Sequence, residues 1–436
     1  MEIVQAPPLV TDVATLDLLR ITVGLLGGLA LFLYGIDKMA DGLRSVAGSG
    51  MKSLLAKLTS NRFLGVITGI GVTAVVQSST LTTVLVVGFV SSGLLSLTQA
   101  IGVIMGANIG TTITIQVAAF KVTHSAWLLV GLGFLATALG KRDLFRQMGA
   151  ILLGLGLLFL SLEQMTTVTQ PLRNYAPFIG AMQRMENPIL GILFGAIFTI
   201  VVQSSSASTG VVLALMSQGL ITLPAALAIA IGANVGTCLT TLVAAIGKSP
   251  EAKQAALVHL IFNVTGAIVW GLFLTQLETI VSWTASDPTR QFANAHSLFN
   301  VSNTAVLIWF LNPLARLVQW IIPTQLSTVE DEKRTRAQAF DQALLATPSL
   351  ALEGVRAQVG RLGNDVLSLY RQVGAAFLNG SNEELIVAAK FDREVNQHYD
   401  SILDFSRKLA RGELTTKETA QLADAISAAN YLQNCC

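Results

Sequence analysis

TAVVQSSTLTT at Thr73–Thr83 and TIVVQSSSAST at Thr199–Thr209 decide how this chain is read. They stand 126 residues apart, and so do GANIGT (Gly106–Thr111) and GANVGT (Gly232–Thr237). Gly65–Phe120 aligns on Gly191–Ile246 without a gap, with 24 identities in 56 positions. Such agreement marks an internal duplication, so the fold must be built from two copies of one unit.

Neither aligned segment contains Asp, Glu, Lys, Arg or His. Each instead holds a Gln, an Asn and a dense set of hydroxyls: Gln77 and Asn108 with Thr83, Thr111 and Thr112, then Gln203 and Asn234 with Thr209 and Thr237. Thr73 and Thr199 stand behind them as supports. Amide and hydroxyl oxygens accept from a hard cation, whereas hydroxyl protons and helix N-terminal amides donate to an anion. Close helix packing and hydroxyls bonded back to their own helix would explain any single Ser or Thr. Packing does not require Gln and Asn at matched positions, so the repeated constellation points to a transport site.

Of 436 residues, 52% are hydrophobic and 12% charged, about half the charge of a typical soluble domain. Apolar runs long enough to cross a bilayer recur from Asp17 to Ile322. The reading is an all-α polytopic membrane protein. A net charge of +2 gives no case for nucleic acid. Cys238 lies in a membrane segment and Cys435 and Cys436 are adjacent, so no disulfide framework is expected. Residues 1–15 lack the basic and apolar regions of a cleavable signal peptide.

In chain order the expectation is a tail (1–16), repeat 1 (17–146), repeat 2 (147–292), an extra helix (293–323), a linker (324–348) and a helical domain (349–436). Repeat 1 opens with a span at Leu18–Met39 and an interfacial helix over Asp41–Arg62. A re-entrant hairpin at Phe63–Gly93 follows, because each arm around Gln-Ser-Ser is short for a full crossing. Leu97–Phe120 reads as a span interrupted at GANIGT, and His124–Gly140 as another. Repeat 2 carries a span at Met148–Thr167, a hairpin at Ile189–Gly219, an interrupted span at Leu223–Ile246 and a span at Ala252–Ile280. Three spans plus a hairpin give an odd number of crossings, so the copies are inverted repeats, the plan of many secondary transporters. Nine Lys and Arg in the inner loops against four in the outer ones place the N-terminus outside and the C-terminus in the cytoplasm.

The tail's apolar stripes, Leu352 to Val373 and Leu385 to Leu409, step by three and four, which predicts a cytoplasmic helical bundle. A third helix is expected over Thr416–Asn434. Two H-x-x-F-N segments, His259–Asn263 and His296–Asn300, read as interhelical hydrogen bonding, with Asn263 and Asn300 behind the site. No Ser-His-Asp set, carboxylate pair or transition-metal cluster stands out, so no enzyme is expected.

The paired Q-S-S and G-A-N-x-G-T motifs, with both H-x-x-F-N segments, resemble the type II sodium–phosphate cotransporters and their bacterial relatives. The resemblance covers Leu18–Pro323. The tail, with ALLATPSLALE at Ala343–Glu353, looks like a PhoU-related domain. The family likeness implies symport of inorganic phosphate with sodium as coupling ion and no other cofactor, in the inner (plasma) membrane. Carried onto this chain, the site is lined by Gln77, Ser78, Ser79 and Thr80 with Gln203, Ser204, Ser205 and Ser206. Thr80 departs from a tri-serine form, and Cys238 stands where the first copy has Thr112. The partners are phosphate, Na+ and the lipid bilayer, with the membrane helices or the C-terminal domain as surfaces for a homo-oligomer. Competing readings are a carrier of another oxyanion or dicarboxylate, a channel, and a phosphate-sensing regulator.

Overall fold

The structure is a computed structural model that describes residues 18–56, 61–91, 95–120, 123–323, 345, 348–379, 382–412 and 414–435. The N-terminal tail and almost all of the linker, Glu330–Arg336 included, lie outside the described residues. Every regular element among those residues is helical. The chain gathers into two compact units, one of residues 1–83, 98–246 and 256–317, the other of 84–97, 247–255 and 318–436.

The duplication is visible in the element bounds. Helices α1 (Leu18–Ala56), α2 (Arg62–Val76), α3 (Ser79–Ser91), α4 (Leu97–Ala118) and α5 (Thr123–Leu139) form the first half. The second half has α6 (Asp143–Thr169), α7 (Ala176–Arg184), α8 (Pro188–Val202), α9 (Ser205–Ser217), α10 (Leu223–Ala244) and α11 (Pro250–Leu272). Adding 126 to either bound of α2, α3 or α4 gives the bounds of α8, α9 and α10. The chain continues through α12 (Leu274–Ser282), α13 (Pro288–Leu307) and α14 (Leu311–Ile321). Among the described residues six helices are long and apolar enough to cross a membrane: α1, α4, α6, α10, α11 and the α13–α14 stretch. The hairpin arms are shorter, 15 and 13 residues in each half. At 1.5 Å per residue that is roughly 20 Å, against about 30 Å of hydrocarbon.

The span expected over Leu18–Met39 and the interfacial helix expected over Asp41–Arg62 join without a break in α1, which runs on to Ala56. Charge at Asp41 does not break a helix; a missing amide does. The matching stretch of the second half shows the difference. Pro171 and Pro177 interrupt it, so it becomes α6, a short 3-10 turn (Gln170–Asn174) and α7.

The GANIGT and GANVGT spans are not interrupted either, since α4 and α10 are continuous helices. Their glycines serve close approach. A Cβ at Gly106 would lie 2.0 Å from the Val66 carbonyl oxygen, and one at Gly69 2.1 Å from that of Val103. In the second half Gly232 meets Ile192 and Gly195 meets Ile229 in the same way, both at 2.0 Å. The first arm of each hairpin therefore lies backbone to backbone on the following span, a fit only glycine permits.

The opening helices of the two halves pack on each other. Along α1 the contacts run Gly24 to Val168, Gly28 to Met165 and Ser161, Gly35 to Gly154 and Leu158, and Gly42 to Ile151 and Gln147. Ascending numbers on α1 meet descending numbers on α6, so the pair is antiparallel.

In the second unit, α15 (Pro348–Asn379), α16 (Asn382–Ala410) and α17 (Thr416–Gln433) pack into a three-helix bundle. Leu352, Val355, Leu362, Val366, Val395, Ile402, Phe405 and Leu409 are buried, as the stripes predict. His398 is buried among them, its Nδ1 3.0 Å from Asp365 Oδ2 and its Nε2 3.0 Å from Gln358 Oε1.

Candidate functional site

Each hairpin turns at a glutamine. Asn61 caps the start of α2 by accepting from the Phe63 amide at 2.9 Å, and Asn187 caps α8 by accepting from Ile189 at 3.0 Å. The arms end at Gln77 (φ 60, ψ 20) and Gln203 (φ 58, ψ 20), both left-handed. Among the described residues these are the only non-glycine residues with positive φ. Both amides donate to the carbonyl four residues back, Thr73 and Thr199, at 2.7 Å. A side chain in this region costs about 1–2 kcal/mol, and strain of that kind concentrates at functional sites.

Hydroxyls lock the turns in the same way in both halves. Thr73 Oγ1 donates to Thr82 Oγ1 at 3.0 Å, which donates to the Ser78 carbonyl at 3.0 Å. Thr199 Oγ1 donates to Ser208 Oγ at 2.9 Å, which donates to the Ser204 carbonyl at 3.0 Å. Ser78 Oγ accepts from the Leu81 amide at 3.1 Å and Ser204 Oγ from Ala207 at 3.2 Å. Both serines thus cap the second arm and keep their own proton for another acceptor. Ser79, Ser205 and Ser206 are buried, and their hydroxyls bond to nothing among the described residues.

Each turn brings two unlike helix ends together. The first arm arrives with its carbonyl end, the negative end of its dipole, and the second departs with its amide end, the positive one. Acceptors suited to a cation and donors suited to an anion therefore lie within one turn.

The remaining hydroxyls are oriented differently. Thr111 and Thr237 donate to Ala107 and Ala233 carbonyls at 3.1 and 2.8 Å. Thr112 donates to Ile109 and Thr209 to Ser205, at 2.8 and 2.7 Å. With their protons spent, these oxygens can only accept. Cys238 Sγ lies 3.4 Å from the Asn234 carbonyl oxygen and 3.5 Å from that of His259. Thr83 Oγ1 is buried without a partner among the described residues.

The H-x-x-F-N segments hold the asparagines of the GAN motifs. Asn263 Nδ2 donates to the His259 carbonyl and Asn300 Nδ2 to that of His296, both at 2.9 Å. Each then offers its oxygen, which accepts from Asn108 Nδ2 and Asn234 Nδ2 respectively, both at 3.1 Å. Asn108 and Asn234 are left presenting Oδ1. Asn234 Oδ1 accepts from His296 Nε2 at 3.3 Å, while His259 Nδ1 pairs with Thr241 at 3.2 Å. The expected interhelical bonding is present, and it fixes the asparagine amides.

The halves are not identical. Gln77 is buried, accepting from Thr114 Oγ1 at 2.8 Å and donating to the Ala74 carbonyl. Gln203 is exposed, and its side chain has no partner among the described residues. Sequence reasoning also missed Arg44. From α1 its Nη2 donates to the Val76 carbonyl at 3.0 Å, one residue before Gln77. Arg44 stands in the polar Asp41–Arg62 stretch, where one more charge signals no site. No hydrogen bond joins the two turns among the described residues. A separate cleft of about 260 Å³, lined by Phe120, Phe159, Glu163, Thr166 and Ser217, lies at the far end of α9 from Gln203. Among the described residues no cluster of His, Cys, Asp or Glu could hold a metal.

These features define a polytopic helical membrane protein made of a duplicated unit, with an uncharged polar turn in each of two helical hairpins. The chain belongs to the Na+/Pi-cotransporter family, whose sequence profile matches residues 31–167 and 178–286. Membership makes it a phosphate transporter, not an enzyme. It is 28% identical over 410 residues to YjbB of Salmonella typhimurium, named as a candidate inorganic phosphate export protein, covering 94% of this chain and 75% of that one. It is 32% identical over 260 residues to Bacillus subtilis YqeW, whose name states no function, covering 59% of this chain and 84% of that one. A shorter match, 35% over 136 residues, joins it to human sodium-dependent phosphate transport protein 2B, covering 29% of this chain and 20% of that one. No solved structure matches it.

Proposed function

We propose that the protein is a sodium-coupled symporter of inorganic phosphate working by alternating access in the inner (plasma) membrane. The observation that carries the reading is the pair of left-handed glutamine turns, each joining a carbonyl end to an amide end. Sodium binds at the carbonyl ends with the amide oxygens of Gln77, Gln203, Asn108 and Asn234, and with the accept-only hydroxyls of Thr111, Thr112, Thr209 and Thr237. Phosphate binds at the amide ends, taking protons from Ser78, Ser79, Thr80, Ser204, Ser205 and Ser206. Thr73, Thr199, Asn263 and Asn300 hold these groups in register.

Coupling follows from electrostatics. The aligned repeats supply no charged side chain, and an uncompensated anion in a low dielectric costs several kcal/mol or more. Bound sodium offsets that cost, so the affinities of the two ions rise together by linkage. Antiparallel packing of α1 on α6 supports inverted halves, N-terminus outside and C-terminus in the cytoplasm, with α2–α3 and α8–α9 as re-entrant hairpins. The tail bundle is read as a cytoplasmic PhoU-like regulatory domain, and the membrane helices or this bundle as the surface for a homo-oligomer. The name of YjbB favours net export in the cell, with the prevailing gradients setting the direction.

The test is labelled-phosphate flux in proteoliposomes with and without a sodium gradient. Accumulation is expected only with the gradient, with arsenate competing and succinate not. Flux indifferent to sodium overturns the reading.

A further inference from the structure

The two turns differ at their carbonyl ends. In the first half the Val76 carbonyl is taken by Arg44 Nη2 at 3.0 Å. The rest of that guanidinium is loosely engaged: Nη1 lies 3.4 Å from the exposed Asp41 carboxylate, and Nε is buried with no acceptor among the described residues. Position 170 corresponds to Arg44 in the second half and is Gln170, in the 3-10 turn where two prolines have broken the helix. No cationic side chain among the described residues bonds the second turn. At the first turn the Thr73, Ala74 and Val76 carbonyls are all taken, the last by a cationic side chain, whereas at the second only that of Thr199 accepts a bond from a described residue beyond the helix ladder.

We infer that Arg44 is a tethered cation at the first turn, standing where the second turn takes a sodium ion. The inference rests on the sodium–phosphate reading and deepens it. A guanidinium at this place stabilises the negative end of α2. Its buried Nε–H is also a donor that needs an acceptor, because a buried unpaired donor is destabilising. An oxyanion at the Gln77–Ser78 turn meets that need with a charge-assisted bond. Arg44 then supplies part of the positive charge at the first turn, and sodium at the Gln77–Asn108 half has correspondingly less anion charge to offset than sodium at the second half. Removing the fixed charge should make a sodium ion do its work.

The experiment uses the full chain in proteoliposomes. Phosphate titrations of uptake are run at low and at saturating sodium for wild type, Arg44→Gln, Arg44→Lys and, as the matched change in the other half, Gln170→Ala. Arg44→Gln should raise half-saturating phosphate about tenfold or more at low sodium, the size of one lost charge-assisted bond. High sodium should restore it, with a steeper sodium dependence than wild type. Arg44→Lys and Gln170→Ala should keep the wild-type sodium dependence. Arg44→Gln curves that match wild type overturn the inference. So does a shift of equal size at every sodium concentration, which is what simple capping of α2 gives. If Arg44→Gln fails to insert, Arg44→Lys decides, because the lysine retains the charge but not the fork. In that variant a raised half-saturating phosphate with the wild-type sodium dependence supports the inference, and curves identical to wild type, or a lost sodium dependence, overturn it. Absence of sodium-dependent flux in wild type refutes the parent reading instead.

Discussion

Replacing Gln203 by glycine should make the protein more stable and a worse transporter. Gln203 holds φ 58 and ψ 20, a conformation that costs a side-chain-bearing residue about 1–2 kcal/mol and glycine almost nothing. Glycine's greater freedom in the unfolded chain returns about 0.5–1 kcal/mol. Nothing else is lost, since the exposed Gln203 side chain bonds to no other described residue. The net expectation is a gain of roughly 0.5–1 kcal/mol. Gln77→Gly relieves similar strain but strips Thr114 Oγ1 of its acceptor. An orphaned buried hydroxyl costs roughly 1–3 kcal/mol, so that variant should be net destabilised. Both should weaken half-saturating phosphate and sodium by about 10- to 150-fold, the range for one bond to an ion. Thermal unfolding in detergent, beside sodium and phosphate titrations of uptake, separates the two effects. A less stable Gln203→Gly with wild-type titrations would show that the glutamine is kept for packing, and the reasoning would be wrong.

Gly106→Ala and Gly232→Ala each place a methyl about 2.0 Å from a carbonyl oxygen, so folded yield should collapse, with a cost of roughly 3 kcal/mol or more. Normal yield of either would refute the packing of the hairpin arm on its span. For Asn108 and Asn263, a double-mutant cycle to leucine should give a coupling of about 0.5–2 kcal/mol in thermal stability, and additive losses would deny their bond. Cysteines at Arg142 and Asn174 should react with an impermeant reagent from opposite sides of the membrane. Same-sided labelling would remove α6 as a crossing and with it the inversion.

Much of this molecule is legible in its sequence, and the reasons are local. The hairpin arms fall within two residues of the expected turn because the 126-residue period and the Gln-Ser-Ser break leave little freedom. The tail stripes are legible because a helix period is a sum over many residues. Glycine is where the reading failed. In an apolar segment it signals unwinding or close packing equally well, and only the Val66 carbonyl facing Gly106 decides between them. Polarity at Asp41 does not break α1, because a break takes a proline such as Pro171. The reach of Arg44 to a carbonyl 32 residues further on, and the unequal burial of Gln77 and Gln203, are tertiary facts with no sequence period behind them.

The seam between α1 and α6 has a further property. Subtracting 126 maps Gly154 onto Gly28 and Ser161 onto Gly35. Gly35 touches Gly154, and Gly28 touches Ser161, so each contact occurs twice with the partners exchanged. Such self-complementarity is the mark of an interface between two copies of one chain. The seam therefore has, within a single polypeptide, the exchange symmetry of a homodimer contact. Because the two sides are parts of one chain they need not stay identical, and an arginine in one half and two prolines in the other are where the exchange symmetry ends.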